Sequence, residues 1–281
     1  MGSVSSDGRD LYHEVAGEGV PILLIHPSGA TASTWGSATV ELARLGRVIT
    51  YDRRGYARSR GEPVRSMSIH TADAAALLEH LRTPPAVVVG TSAGAAIAVD
   101  LAVRRPDLVR VVIAHEFPWR FTRHLPTGSQ IAALARIGSL ALRGRHGDAA
   151  EMLLRTTYTY PDGGSAWDAF PEEWRRVARE NARPALADFR NSIGVYPSAS
   201  DLATVEVPVV CSYGARSPNS MKSLVRLLAA AIPAARTQQI KGAGHAAPFD
   251  ATTNFVQLIA DTITSSEAEP DHVPVRAGEA S

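Results

Sequence analysis

Apolar positions along the chain follow two regimes. In the first, short unbroken apolar runs alternate with helix-length segments. Pro21 to His26, Arg47 to Tyr51, Ala86 to Gly90 and Val111 to His115 are such runs, and each predicts a strand buried on both faces. The gaps predict helices over roughly 35–46, 70–83 and 92–105, the last stopped at Arg105 by Pro106. The pattern returns near the C-terminal end, with a strand over Val207 to Tyr213, a helix near 219–232, a strand near Thr237 to Ile240 and a helix near 250–264. This alternation predicts an α/β fold, a mostly parallel sheet flanked by helices.

Residues 118–203 follow a second regime. Ile131 to Leu142, Asp148 to Thr156, Glu172 to Ala182 and Pro184 to Ile193 have helical periodicity, and no strand run interrupts them. The organisation predicted is a core over 1–117, a helical cap over 118–203, a second core segment over 204–264 and a mobile tail over 265–281.

Composition narrows the function. The 281 residues are 45% apolar, enough for a large core. The 29 basic and 28 acidic residues nearly cancel, so no basic excess draws the protein to nucleic acid or an anionic membrane. Cys211 is the single cysteine, which excludes an intrachain disulfide and a Cys-rich metal site. Met1 to Asp10 is polar, unlike a signal peptide, and no apolar run approaches the ~18 residues of a membrane span. A cytoplasmic enzyme acting on a small molecule is the expectation, with oligomeric state left open.

Gly90-Thr91-Ser92-Ala93-Gly94 joins a Val-rich strand to a helix. A G-x-S-x-G turn in that context presents a serine hydroxyl on a strained backbone at a helix N-terminus, where backbone N–H groups face a developing oxyanion. Ser92 is the candidate nucleophile; the plainer alternative is an N-cap serine. His245, in Gly242-Ala243-Gly244-His245 after the last strand, is the candidate base. The loop His26-Pro27-Ser28-Gly29 offers an oxyanion donor; Pro27 has no N–H, so the backbone of Ser28 is expected, with Ala93 as the other. Of the remaining histidines, His26 reads as a packing or loop-orienting residue, and His13 and His115 as strand packing. His70, His80, His124, His146 and His272 read as solvated. Parallel strands would bring Ser28, Ser92 and His245 to one carboxyl edge of the sheet, where open α/β folds bind ligands.

With these motifs, and Asp52-Arg53-Arg54-Gly55-Tyr56-Ala57-Arg58-Ser59 after the run ending at Tyr51, residues 10–264 resemble the α/β-hydrolase superfamily. The resemblance implies the α/β-hydrolase fold with an inserted helical cap, and a Ser-His-acid triad that needs no cofactor or metal. The acid usually follows a strand as G-x-x-D, but here Gly214-Ala215-Arg216-Ser217 has serine at that point. Some branches of the superfamily carry the acid one strand earlier, and Glu116 directly follows His115. Glu116 is the candidate acid; its alternative is a loop carboxylate paired with Arg120 or Arg123. Asp201, Asp250 and Glu206 are weaker candidates, and Asp250 is expected to cap the final helix.

Within the superfamily, His115-Glu116-Phe117-Pro118, Gly163-Gly164-Ser165-Ala166-Trp167 and Gly214-Ala215-Arg216-Ser217-Pro218 resemble the zearalenone lactone hydrolases. The oxyanion loop and much of the cap depart from that family. The resemblance implies lactone hydrolysis by Ser92, His245 and Glu116, with Trp167 in the substrate pocket; Gly29 and Pro118 are further expected contacts. Three of the four tryptophans, Trp119, Trp167 and Trp174, lie in 118–203, an excess that suggests a flat-walled apolar pocket. Trp174, on a helix with Arg175, Arg176 and Arg179, reads as cap core beside a solvated arginine face. A general carboxylesterase, a lyase or cyclase on the same scaffold, and a ligand-binding protein stay open as alternatives.

Overall fold

The computed structural model describes residues 2–6, 9–117, 119, 128–192 and 196–268. Its eight strands are β1 (Gly2–Ser6), β2 (Arg9–Ala16), β3 (Pro21–Ile25), β4 (Arg47–Tyr51), β5 (Ala86–Thr91), β6 (Val109–His115), β7 (Val209–Gly214) and β8 (Ala235–Ile240). The helices of the first half are α1 (Ser37–Leu42), α2 (Met67–His80) and α3 (Ala93–Arg104). Between β6 and β7 lie α4 (Gly128–Leu142), α5 (His146–Thr157), α6 (Ala166–Ala169), α7 (Glu172–Glu180), α8 (Ala182–Ser192) and α9 (Ala199–Leu202). The last three are α10 (Asn219–Ala230), α11 (Ala247–Asp250) and α12 (Thr252–Ala268). Among the described residues no helix is long and apolar enough to cross a membrane.

One sheet runs in the order β1-β2-β4-β3-β5-β6-β7-β8. From β4 to β8 every pairing is parallel; β1 and β2 add on antiparallel. The central strands bury both faces, as their unbroken apolar runs predict. Leu23, Ile25, Val88 and Val112 point into one core with α2, α3 and α10. Ile22, Leu24, Val87, Val89 and Ile113 point into the other, where α12 supplies Phe255 and Ile259.

Three expectations need correction. The polar start is a strand: β1 pairs with β2 along its length. Its one large apolar residue, Val4, is buried, too little for a periodic signal. The expected helix over 35–46 is a 3₁₀ turn, Ala32–Trp35, followed by α1, broken at Gly36 by φ +51° and ψ −129°. The final helix continues to Ala268, past the expected start of the tail at 265; residues 269–281 lie outside the described residues.

The turn from β5 to α3 depends on two absent side chains. A Cβ on Gly90 would sit 2.2 Å from the Gly94 carbonyl oxygen, and one on Gly94 would sit 2.0 Å from the Ile25 carbonyl oxygen. Both neighbours are backbone and cannot step aside. Gly94→Ala is therefore expected to cost about 2–3 kcal/mol through forced separation of α3 from β3, read as a lower urea midpoint at unchanged m-value; a midpoint equal to the wild type's would contradict the close approach.

Candidate active site

The candidate residues stand in sheet order along one carboxyl edge: Ser28 after β3, Ser92 after β5, Glu116 after β6, Ser217 after β7 and His245 after β8. Ser92 has φ +52° and ψ −117°, a strained backbone for a residue with a side chain. Its N–H donates to the His115 carbonyl at 2.9 Å, and its own carbonyl accepts from the Ala95 and Ala96 N–H groups. Ser92 heads α3, yet its hydroxyl caps nothing. The N-cap alternative thus loses the hydrogen bond that would define it.

Glu116 also has positive φ, +48°, and its side chain is fully buried. β7 separates β6 from β8, so a carboxylate after β6 must reach past an intervening strand to meet the loop after β8, two spacings or about 9.6 Å away. The extra methylene of Glu over Asp serves that reach. Oε2 lies 2.8 Å from His245 Nδ1. Oε1 accepts from the Gly214 N–H at 2.8 Å and from the Ser217 hydroxyl. Ser217 thus fills the usual acid position as a donor. Burial pushes the Glu116 carboxyl up. The His245 hydrogen bond, the neighbouring imidazoles of His115 and His245, and the Ser217 hydroxyl outweigh it and hold the pKa down at about 2. An ionised carboxylate only accepts, so His245 Nδ1 carries a proton toward it. Among the described residues no hydrogen bond joins Ser92 Oγ to His245, a contact that commonly tightens only when substrate binds.

The loop bearing His245 is held from three sides. The Gly244 carbonyl lies 3.1 Å from His115 Nε2, so that nitrogen carries the proton, while Nδ1 accepts from Ser212 Oγ at 3.1 Å. Burial lowers the His115 pKa. The Gly244 N–H donates to Asp250 at 3.0 Å, and Asp250 also accepts from the Tyr160 hydroxyl at 2.7 Å. The expected helix cap is therefore a brace on the His245 loop. His115 exceeds its expected packing role in the same way, and neither function leaves a mark in sequence spacing. Asp201 closes a capping box with Ser198 at α9.

On the other side, His26 is fully buried and its pKa is lowered to about 3, by burial first and by Arg53 next. Its Nδ1–H donates to the Pro27 carbonyl at 2.8 Å, and Nε2 accepts the Arg53 N–H at 3.0 Å. It ties the loops after β3 and β4 together, as a loop-orienting histidine would. His70 is buried rather than solvated, 3.5 Å from Asp188, because α2 turns it inward. His124 and His272 lie outside the described residues, as do Pro118, Arg120 and Arg123. Among the described residues neither the Ser28 nor the Ala93 N–H donates a hydrogen bond.

Against this edge the helices of the insertion close a cavity of about 60 Å³. Ser28, Gly29 and His245 line it, with Trp35, Trp167 and Trp174 among its aromatic walls. Trp167 stands in the cavity wall. Trp174 was expected in the cap core, but lies with Phe170 and Phe249 in an edge-to-face cluster at the cavity; its amphipathic helix turns the indole toward the sheet. The arginines beside it pair with acids, Arg175 with Glu172, Arg176 with Glu180 and Arg179 with Glu151. Among the described residues no three His, Cys, Asp or Glu side chains gather as a metal-binding set.

The family model for the alpha/beta hydrolase family matches residues 22–258. The chain belongs to the alpha/beta hydrolase family. It is 37% identical over 118 residues to an uncharacterized hydrolase of Bacillus subtilis strain 168, YraK, a match covering 41% of this chain and 44% of that protein. Two solved structures share the whole architecture of this hydrolase. The enol-lactonase from Burkholderia xenovorans LB400 superposes with a TM-score of 0.77 at 21% identity, covering 94% of this chain and 100% of that one. Est816, an N-acyl homoserine lactone degrading enzyme, gives 0.75 at 23% identity, covering 92% and 99%. At these identities the likeness is one of fold.

The depressed Glu116 pKa makes a stability prediction. A folded-state value of about 2 against an ordinary 4.5 means stabilisation present above about pH 4.5 and lost as pH falls through 2. Glu116→Gln is expected to lower stability at pH 7 by up to about 3 kcal/mol. In urea titrations the gap to wild type should narrow steadily below about pH 4.5. A gap of constant size from pH 7 to 3 would contradict an ionised, hydrogen-bonded Glu116.

Proposed function

We propose that this alpha/beta hydrolase is a cofactor-independent serine hydrolase of a carboxylic ester or lactone with a small apolar acyl portion. The observation that carries the reading is the 2.8 Å contact between His245 Nδ1 and a buried, ionised Glu116, at the same sheet edge as a strained serine whose hydroxyl caps nothing. Ser92 Oγ attacks the carbonyl carbon as His245 Nε2 takes its proton; Glu116 fixes the tautomer and stabilises the imidazolium. The carbonyl oxygen gains negative charge between the free N–H groups of Ser28 and Ala93, each worth about 3–4 kcal/mol in the transition state. His245 returns the proton to the leaving alkoxide, which in a lactone stays tethered to the acyl chain. It then deprotonates the water that releases the acid and restores Ser92.

The cavity sets the size of the substrate. Its walls are aromatic enough for a zearalenone-type macrolactone, but its volume, about 60 Å³, is far below the roughly 300–1,000 Å³ of pockets that enclose drug-sized ligands. A short acyl chain or small lactone is the occupant the cavity volume favours; a macrolactone would extend beyond it, past Leu154, Trp167 and Trp174. The names of Est816, an N-acyl homoserine lactone degrading enzyme, and of the enol-lactonase are in keeping with a lactone among the candidate substrates.

The test is turnover of p-nitrophenyl acetate, a short-chain N-acyl homoserine lactone and zearalenone by wild type, Ser92→Ala and Glu116→Gln. Ester or small-lactone hydrolysis is expected, reduced at least about 10³-fold in both variants. Zearalenone turnover above that of the small substrates would reverse the size argument. Wild-type activity retained by Ser92→Ala would remove the serine mechanism.

A further inference from the structure

A second buried carboxylate lies on the opposite side of the candidate nucleophile from Glu116. Asp188, on α8, is buried with Arg53, and their side chains are 1% and 0% exposed. All its hydrogen bonds converge on one oxygen: Oδ2 accepts from Arg53 Nη2 at 2.6 Å, from the Tyr56 hydroxyl at 2.5 Å and from Ser28 Oγ at 2.8 Å. Oδ1 accepts none among the described residues, and His70 Nε2 stands 3.5 Å from it. Arg53 alone neutralises the charge, and a half-buried Ser28 hydroxyl could be satisfied by water instead. The Ser28 contact is therefore spare as charge compensation. Its consequence is to fix the orientation of Ser28.

We propose that Asp188 is a positioning residue for the oxyanion hole: by holding the Ser28 side chain from the cap, it sets the direction of the Ser28 N–H, so the hole is complete only when α8 is seated. The Pro27–Ser28 peptide is trans, so its carbonyl and N–H point in opposite directions. His26 Nδ1–H holds that carbonyl at 2.8 Å, which restrains one end of the plane from the core. Beyond Ser28 the chain turns at Gly29, with φ +78° and no side chain to anchor it. The Ala30 N–H also donates to the Pro27 carbonyl, at 3.4 Å across the turn; the Ser28–Asp188 hydrogen bond holds the other end of the plane, and it is the hydrogen bond from this loop to α8. Asn181, at the head of α8, strengthens the same seating by accepting the Ala57 N–H at 2.9 Å. Cap position and transition-state stabilisation thus share one side-chain contact.

The proposal rests on the serine hydrolase reading, and one set of measurements separates the two. The probes are p-nitrophenyl acetate and a fluorophosphonate, whose phosphoryl oxygen occupies the same hole as it labels Ser92. Ser28→Ala keeps the Arg53–Asp188 pair and every backbone N–H. It is expected to lower kcat and the labelling rate about tenfold, a part of what losing a donor outright costs, with KM and thermal midpoint unchanged. Ser28→Thr, which restores the hydroxyl, should recover the rate. Asp188→Asn should slow labelling as much as Ser28→Ala, and the double variant no further. Wild-type rates in Ser28→Ala, a Ser28→Thr as slow as Ser28→Ala, or effects that multiply in the double variant would overturn the proposal while leaving the hydrolase reading intact. If Asp188→Asn does not fold, the Ser28 pair of variants decides alone. A wild type that fluorophosphonate does not label overturns the hydrolase reading, and the proposal with it.

Discussion

The candidate site depends on keeping one carboxylate ionised where there is no water. A buried anion costs several kcal/mol unless its lone pairs are met by donors. Glu116 is met by the His245 imidazole, the Gly214 N–H and the Ser217 hydroxyl. Each donor comes from a different place: the loop after β8, the end of β7 and the loop after β7. The carboxylate therefore staples three neighbouring segments of the sheet edge. The price of taking it out of water is offset only when all three are in register. An aspartate at 217 would put a second negative charge where Glu116 now receives a hydroxyl. The serine at that point is thus matched to the glutamate, as a donor where an aspartate would repel.

The same logic is repeated on the other flank. Asp188 gathers Arg53, Tyr56 and Ser28 as Glu116 gathers His245, Gly214 and Ser217. The first carboxylate is supplied by the sheet edge, the second by a helix inserted between β6 and β7. Between them stands α3, whose start is set by glycine contacts too close for any side chain. Ser92 is thereby placed by packing, His245 by one buried anion and the Ser28 loop by another. The close-packed turn leaves Ser92 little freedom, so adjustment of the site falls to the two flanks.

The parallel core was legible because both-face burial writes unbroken apolar runs such as Ala86 to Gly90, and because Gly90 and Gly94 have a single steric meaning. Ser92, His245 and Glu116 were legible for a related reason: each is the residue at which a strand run ends or a glycine loop turns. What holds them was not. His115 reads as one more strand residue, Asp250 as a helix cap and Asp188 as one polar residue on an amphipathic helix. Their partners are 129, 6 and 160 positions away, respectively, for Gly244 with His115, Gly244 with Asp250 and Ser28 with Asp188, and no periodicity connects such distances. Trp174 was misread because helix periodicity shows which face is apolar, but not whether that face meets other helices or a cavity.

The cavity lies where these two flanks meet. It is bounded by His245 and Ala246 from one loop, by Ser28 and Gly29 from the other and by Leu154, Trp167 and Trp174 from the inserted helices. Gly29 admits Leu154 so closely that a Cβ there would lie 2.7 Å from its methyl group. The oxyanion loop and the cap are therefore in contact twice, by packing at Gly29 and by hydrogen bond at Ser28. Leu154 is on α5, which packs against α8 and its Asp188, so in the proposed reading a substrate that displaces Leu154 from Gly29 would also strain the Ser28–Asp188 contact. Under the proposed serine mechanism, selection by size and stabilisation of the oxyanion would then be linked: a small acyl group would leave the cap seated and the Ser28 N–H aimed.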